Sequence, residues 1–300
     1  QISLQDGTYA VDNNLLEDDS VAPHRVYPYQ YRVNAYLTAG SLNQAGLGSV
    51  LKDNTEARLA GLTDVMVATA KVNYHSEDDT FRMNLNQDNY GQGLRKLTDL
   101  RDGTNLSGVN TSLVKAPHVR VFLSVDKGPR MWRPSDTTTN KGESYETSTL
   151  GHAVGDKYRL AFVDHLVALA KEYKLNGVDI DWEYPNLNAD GGMLNPRDKW
   201  GEYGKYGLFL RDLSEAFFNE GLEVAFCVNQ SGWAMPTSGD FAASADFVNS
   251  MAYGPWPTFL GNDVMDQGLA VCREWGVPNR RILVGQSIYS SAHYHFGWSE

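Results

Sequence analysis

Apolar residues recur along the chain in short runs typical of buried β-strands, with helical spacing between several of them. Seven strands are predicted, at residues 32–37, 65–72, 119–125, 177–184, 223–229, 247–253 and 281–289. Helices are predicted at residues 158–174, 206–221 and 265–276. Apolar residues recur at intervals of three or four in the first helix: Leu160, Val163, Val167 and Ala170. Gly221 and Gly276 fit the glycine that often follows a helix's last turn.

Strands that alternate with helices predict a parallel sheet, because parallel neighbours need a crossover connection. Seven parallel strands fit either a doubly wound sheet or a (β/α)₈ TIM barrel. The even spread of the strands and the polar residues at their C-terminal ends favour the barrel. Seven β/α units can be recognised, but an eighth strand is not recognisable before Glu300. We expect that strand in residues beyond the given chain, or a partner chain that covers the open seam.

Three long polar connections follow predicted strands, at residues 73–91, 126–156 and 186–204. Loops of this length in a compact domain are usually functional. The segment 135–149, rich in Ser and Thr, fits a mobile surface insertion equally well. Both interpretations stay open from the sequence.

The composition indicates a folded protein and argues against some classes of binding partner. The hydrophobic fraction of 42% is typical of a folded globular protein. A net charge of -11 argues against binding to nucleic acid or to an anionic membrane surface, and leaves a neutral substrate such as a polysaccharide open. The sequence contains no apolar run of about 18 residues that would span a membrane. Cys227 and Cys272 lie in apolar runs, so we predict two buried, unpaired thiols.

Two features of the sequence bear on the cellular location. The chain begins at Gln1 without a basic start and an apolar segment, so a signal peptide is absent or already removed. Asn105, Asn110 and Asn229 each begin an N-glycosylation sequon. We therefore predict a secreted, extracellular protein.

The fourth predicted strand contains three acidic residues at alternate positions, within LNGVDIDWEYP at residues 175–185. Side chains two residues apart share a face of a strand and lie about 6–7 Å apart, so Asp179, Asp181 and Glu183 point the same way. Burying three anions inside a barrel is costly unless they share protons or form hydrogen bonds. Repulsion raises the pKa of at least one of them, and a carboxyl that stays protonated is what a general acid needs. Glu183, nearest the C-terminal end, is the candidate acid.

This strand is open to two other interpretations. A solvated face would suit an edge strand of an antiparallel sheet, but it suits a parallel strand preceded by an amphipathic helix poorly. Three carboxylates at strand ends could instead hold a divalent metal. No His lies beside the motif and no other acidic cluster completes a ligand set, so no metal and no cofactor is predicted. His293 and His295 are likewise interpreted as surface or packing residues.

The motif resembles the active-site strand of glycoside hydrolase family 18, the chitinases and related endo-β-N-acetylglucosaminidases. That family carries D-x-x-D-x-D-x-E on the fourth strand of a (β/α)₈ barrel, often continued as W-E-Y-P. The chain matches the last three acidic positions and departs at the first, which is Asn176. The family's M-x-Y-D appears as Met251-Ala-Tyr253-Gly254, and its S-x-G-G appears as Ser124-Val-Asp-Lys.

The resemblance implies a retaining glycosidase in which the 2-acetamido group of the substrate is the nucleophile. Glu183 would protonate the leaving oxygen and then act as base toward water. Asp181 would orient the acetamido N–H, Asp179 would share a proton with Asp181, and Tyr253 would donate its hydroxyl to the acetamido carbonyl. Residues 1–30 would be an N-terminal extension packed on the barrel, and residues 31–300 would be the catalytic TIM barrel.

Further residues are candidates for binding the sugar. Gly254 replaces an acidic residue that grips the sugar in the family, and polar groups ending the fifth strand could substitute for it. Aromatic side chains stack on sugar rings and are expected along the groove. The predicted substrate-binding residues are Tyr184, Met251, Tyr36, Trp132, Trp256 and Gln230.

Three functions follow from this interpretation. The first is hydrolysis of β-1,4-linked N-acetylglucosamine in chitin or chitooligosaccharides. The second is endo-β-N-acetylglucosaminidase action on N-glycans. The third is a non-catalytic chitinase-like lectin, against which the retained Glu183 argues because such lectins commonly lose the acid.

Overall fold

The structure is a computed structural model of the 300-residue chain. It describes residues 4–5, 8–9, 32–38, 61–86, 89–103, 117–134, 144–183, 202–229, 245–251, 269–270, 272–273 and 276–285.

All seven predicted strands are present and form one parallel sheet. In sheet order they are β3 (Asn34–Thr38), β4 (Asp64–His75), β6 (Arg120–Asp126), β9 (Gly177–Asp181), β10 (Glu223–Asn229), β11 (Phe247–Met251) and β12 (Ile282–Val284). Each strand pairs in parallel with the next along the chain. The β4–β6 register shifts between Val67 and Ala70, which marks a bulge or irregularity.

The sheet curls into the wall of a barrel. Strands β3 and β11 are separated by four other strands in the sheet order, yet Asn34 Nδ2 donates to Asn249 Oδ1 at 2.9 Å. A flat sheet would hold these side chains about 24 Å apart, at nearly 5 Å per strand. This contact and the parallel order confirm the predicted α/β fold of the (β/α)₈ barrel class, with seven described strands.

The outward side chains of the strands form the larger core. Along β9, Val178 and Ile180 are fully buried on this side, and Trp182 follows them. The Trp182 ring meets Tyr206 of a covering helix at a centroid distance of 5.1 Å. The predicted orientation of these three residues, away from the carboxylates, is therefore confirmed.

The inward side chains fill the barrel in layers. Near the N-terminal ends of the strands, Arg120 donates to both Asp64 and Glu223, and Arg32 donates to Glu223 at 2.6 Å. Each of these four side chains is at most 11% exposed. An apolar layer of fully or almost fully buried residues shares this face: Met66, Phe122, Ala225 and Phe247.

Four helices are fully bounded in the described structure: α1 (Tyr90–Asp102), α2 (Thr149–Ala153), α3 (Arg159–Glu172) and α4 (Glu202–Asn219). Helices α3 and α4 were predicted, and the described residues 269–270 and 272–273 of the third predicted helix are helical. The predicted apolar face of α3 was partly wrong, because Leu160 is 62% exposed. Its buried face is Phe162, Val163, Leu166, Leu169 and Ala170.

Two of the long connections contain secondary structure. After β4, the chain turns back as β5 (Thr80–Met83), which pairs antiparallel with the end of β4. After β6, strands β7 (Arg130–Pro134) and β8 (Ser144–Ser148) form an antiparallel hairpin that leads into α2. Part of the Ser- and Thr-rich segment is thus β8, while residues 135–143 lie outside the described residues.

Two very short strands, β1 (Leu4–Gln5) and β2 (Thr8–Tyr9), pair antiparallel in the predicted N-terminal extension. The division at residues 30 and 31 stays a prediction. No helix in the described part of the chain is long and apolar enough to cross a membrane.

Candidate active site

Strand β9 carries the acidic residues into the barrel at its C-terminal end. The strand begins at Gly177, where a Cβ would overlap the carbonyl oxygen of Glu223 and press on the ring of Phe122. Glycine therefore lets β9 approach β10 closely. Asp179 is fully buried, whereas Asp181 and Glu183 are half-buried. The innermost of the three residues is therefore more buried than the two nearer the C-terminal end.

Asp179 is surrounded by donors from four other strands. Its Oδ2 accepts from the Tyr36 hydroxyl and from Ser124 Oγ, each at 3.0 Å, and its Oδ1 accepts from Asn249 Nδ2 at 3.0 Å. The Cys227 sulfur lies 3.5 Å from Oδ2, and the Tyr36 hydroxyl lies 3.2 Å from that sulfur. Four donor side chains thus fix the carboxyl group and offset part of the cost of its burial.

Burial raises the pKa of two of the carboxyl groups. For Asp179, burial raises the pKa and the surrounding hydrogen bonds lower it, with a net upward direction. Burial raises the pKa of Asp181 to about 8, and repulsion from Asp179, Glu183 and Asp126 adds to this. The predicted effect of close like charges is therefore present, but burial is the larger cause. With a pKa of about 8, the Asp181 carboxyl holds its proton near neutral pH.

One carboxyl oxygen of Asp181 accepts no hydrogen bond in the described structure. Its Oδ1 is buried and has no hydrogen-bond partner among the described residues. An unpaired buried carboxyl oxygen is costly, and a ligand N–H or hydroxyl at this point would remove that cost. The described structure thus leaves one buried carboxyl oxygen of Asp181 available to a ligand donor.

Asp126 is a fourth carboxylate that the sequence analysis did not assign to the site. It ends β6 and pairs in register with Asp181 on the neighbouring strand. Its charge is one cause of the raised pKa of Asp181, after burial, Asp179 and Glu183. The next residue, Lys127, donates from its ammonium group to the main-chain carbonyl of Glu183.

The Asp126→Asn variant tests this electrostatic contribution. We expect the pKa of Asp181 to fall, because one of the three carboxylates that repel its charged form is gone. Carbon-detected NMR titration of the aspartate carboxyls measures this. Asp164→Asn, the same change at an exposed position on α3, should leave the pKa where it was. A pKa of Asp181 that does not move in Asp126→Asn would contradict the prediction.

Several predicted site residues can be placed. Tyr36 contacts Asp179 directly, although 39% of the residue is exposed. Met251 is half-buried at the end of β11. Trp132 lies in β7, but its side chain falls outside the described structure. Tyr184, Gln230, Tyr253 and Trp256, together with Gly254 and the two C-terminal histidines, lie outside the described residues.

The structure adds partners that the sequence analysis missed. Cys227 is free and buried as predicted, and so is Cys272, but Cys227 also contacts Asp179. Asn249 was not noticed at all. A signal was present, because Ser124, Cys227 and Asn249 are polar or thiol residues at inward positions in the middle of mainly apolar strands.

Metal ligation was the other chemistry weighed for this strand. Within the described ranges, no three side chains of His, Cys, Asp or Glu come together as metal ligands would. The innermost carboxylate of the motif, Asp179, instead faces hydroxyl, amide and thiol donors.

Comparison with known proteins identifies a family. A model of the family described as "Glycosyl hydrolases family 18" matches residues 35–293. An endochitinase from Manduca sexta is 26% identical over 174 residues, which cover 48% of this chain and 29% of that protein. A class V chitinase from Arabidopsis thaliana is 25% identical over 211 residues, covering 58% of this chain and 52% of that protein. The chain thus spans about half or less of the length of these relatives.

Solved structures share the fold. A class V chitinase from Nicotiana tobaccum in complex with NAG4 has a TM-score of 0.56 at 21% identity, covering 85% of this chain and 66% of that one. At this identity the likeness concerns the fold of the chain.

Proposed function

Because the chain belongs to glycosyl hydrolases family 18, we propose that it hydrolyses β-1,4-linked N-acetylglucosamine with retention of configuration. One observation carries the proposal. Asp179 and Asp181 lie on the inner face at the C-terminal end of a parallel strand, and Glu183 follows two residues beyond it, at the end where barrel enzymes act. The innermost is fixed by four donors, and the middle one keeps a free oxygen and a raised pKa.

In the proposed first step, the carbonyl oxygen of the substrate's own acetamido group attacks the anomeric carbon. The glycosidic bond breaks, its electrons pass to the leaving oxygen, and Glu183 gives that oxygen a proton. A cyclic oxazolinium ion results. The first displacement inverts the anomeric carbon, and the attack of water inverts it again, so the starting configuration returns. Glu183, now ionised, takes the proton of that water.

Asp181 has the role of orienting the acetamido group. Its partnerless Oδ1 suits acceptance of the acetamido N–H, which gains positive character as the ring closes. Asp179 is proposed to share a proton with Asp181, which would let the pair adjust its charge during the reaction. Tyr253 is proposed to donate to the acetamido carbonyl, and Tyr184, Trp132 and Trp256 to line the groove.

The substrate class is proposed on two grounds. The acetamido-assisted route requires a 2-acetamido sugar, and the acidic chain favours a neutral polymer over an anionic one. The relatives named chitinases and the tobacco enzyme seen with NAG4 support chitooligosaccharides over N-glycans. Secretion is proposed with the same function, since chitin is an extracellular polymer.

The wild-type protein tests the function directly. We expect it to hydrolyse a chitooligosaccharide and to release the β-anomer first, as read by proton NMR before mutarotation. A thiazoline analogue of the oxazolinium ion should inhibit it, because only the acetamido-assisted route passes through that shape. Release of the α-anomer would contradict the mechanism. Cleavage of an N-glycoprotein alone would reassign the substrate, and binding without turnover would identify a lectin of the same fold.

A further inference from the structure

The corner that follows strand β6 is held firmly on its main-chain side. Thr149 Oγ donates to the carbonyl oxygens of Val72 at 2.6 Å and of Lys127 at 3.0 Å. The Leu150 N–H donates to the same Lys127 carbonyl at 2.9 Å. Both Thr149 and Leu150 belong to α2 and are buried, so the peptide of Lys127 is tied to a helix and, through Thr149, to β4.

Gly128 completes this corner. Its φ of 71° lies in the left-handed region that favours glycine. A Cβ there would overlap Thr149 Oγ and the carbonyl of Val72. The corner Asp126–Gly128 is thus closely packed, and a larger residue at position 128 would be strained.

From this fixed corner, the Lys127 side chain reaches across to β9. Its ammonium donates to the main-chain carbonyl of Glu183, two residues beyond the end of the strand at Asp181. Parallel pairing between β6 and β9 ends at Asp126 and Asp181. The lysine contact therefore extends the link between the two strands past the last pair in the ladder, at the residue proposed as the acid.

We propose that Lys127 is a positioning residue for Glu183. By fixing the carbonyl of Glu183, the ammonium sets the direction in which that residue's carboxyl enters the barrel mouth. A hydrogen bond from a charged donor to a carbonyl is stronger than one from a neutral donor. It positions Glu183 best when the backbone that carries the lysine is rigid, as it is in the packed corner. The assignment rests on the proposed function, since it gives Lys127 its role through the acid.

The test compares Lys127→Met with the wild type. Methionine keeps an unbranched side chain of similar length but donates no hydrogen bond. We expect kcat on a chitooligosaccharide to fall at least about tenfold, because small misplacement of a reacting group is costly. KM should stay within about threefold, since sugar binding is not the step affected. Lys127→Arg, which keeps a cationic donor, should recover a substantial part of kcat.

A second readout does not depend on activity. Amide hydrogen exchange, followed by mass spectrometry without substrate, should become faster in peptides covering residues 177–183 of Lys127→Met. Lys171→Met is the matched control, because the Lys171 side chain on α3 is 56% exposed and pairs with exposed Glu220, which follows α4. This control should change neither kcat nor exchange. If Lys127→Met does not fold cooperatively, Lys127→Gln, a neutral and shorter residue, is measured in the same way.

The outcomes separate the two proposals. If the wild type is active but Lys127→Met has the same kcat, or the same exchange at residues 177–183, the role of Lys127 is overturned and the proposed function stands. A wild type that turns over no chitooligosaccharide or glycoprotein overturns the function, and exchange still decides whether Lys127 fixes Glu183. Slower turnover with faster exchange, restored by arginine, supports the positioning role.

Discussion

The Glu183→Gln variant should lose hydrolysis of chitooligosaccharides by about 10²–10⁴-fold, the usual contribution of a positioned acid and base. Glutamine has nearly the same shape as glutamate and still forms hydrogen bonds, but it cannot give a proton to the leaving oxygen. Binding should persist, with a Kd within about threefold of the wild type by calorimetry, because the ground state does not need that proton transfer.

Glu220→Gln is the matched control for this change. Glu220 follows α4, is 41% exposed and pairs with Lys171, so the same substitution there should leave turnover unchanged. Thermal unfolding of both variants shows whether the fold is intact. Turnover by Glu183→Gln within tenfold of the wild type, in a folded protein, would remove Glu183 as the acid and with it the proposed mechanism.

The Arg120→Met variant should lower the free energy of unfolding by about 3–5 kcal/mol, the usual cost of removing one partner from a buried ion pair. Arg120 is the donor between Asp64 and Glu223, and the side chain of Asp64 is fully buried. Without it, the two arginines and two carboxylates of this layer become one cation and two anions. Arg32, which lies 2.6 Å from Glu223 and 3.6 Å from Asp64, cannot neutralise both.

Urea denaturation followed by tryptophan fluorescence measures this loss as a lower midpoint. Arg95→Met is the control, because Arg95 and its partner Glu172 are both more than half exposed. Exposed pairs contribute about 0–1 kcal/mol, so the midpoint should move little. Arg120→Lys keeps the charge and should lose less than methionine. Equal midpoints for Arg120→Met and Arg95→Met would show that the buried layer contributes nothing to stability.

The strands were predictable because alternation is a local property. Val178 and Ile180 alternate with Asp179 and Asp181, and every β-type run of this kind was found in the sheet. Helix α1 was missed, since Gly91 and Gly93 in its first turn weaken the helical signal. Leu160 was assigned to the buried face of α3 from its spacing alone. Which face of the helix is buried depends on packing against neighbouring elements, which the spacing does not show.

The partners of Asp179 could not be read from the sequence in the same way. Tyr36 is 143 positions away along the chain, and Asn249 is 70 positions away. Their meeting depends on the register of the strands and on the curl of the sheet, which no local pattern encodes. The family resemblance located the carboxylates, while Asp126 and Lys127 stand where this chain departs from the family motif, so resemblance gave no guidance there.

The layers of side chains below Asp179 also limit how a ligand can reach the inside of the barrel. The described interior of the barrel is filled below Asp179. It contains two arginines, two carboxylates and the rings of Phe122 and Phe247. In the proposed function, sugar and product would therefore both pass the C-terminal ends of the strands. If the proposed function holds, product and substrate would compete for this end of the barrel, and added product should raise KM while leaving kcat unchanged.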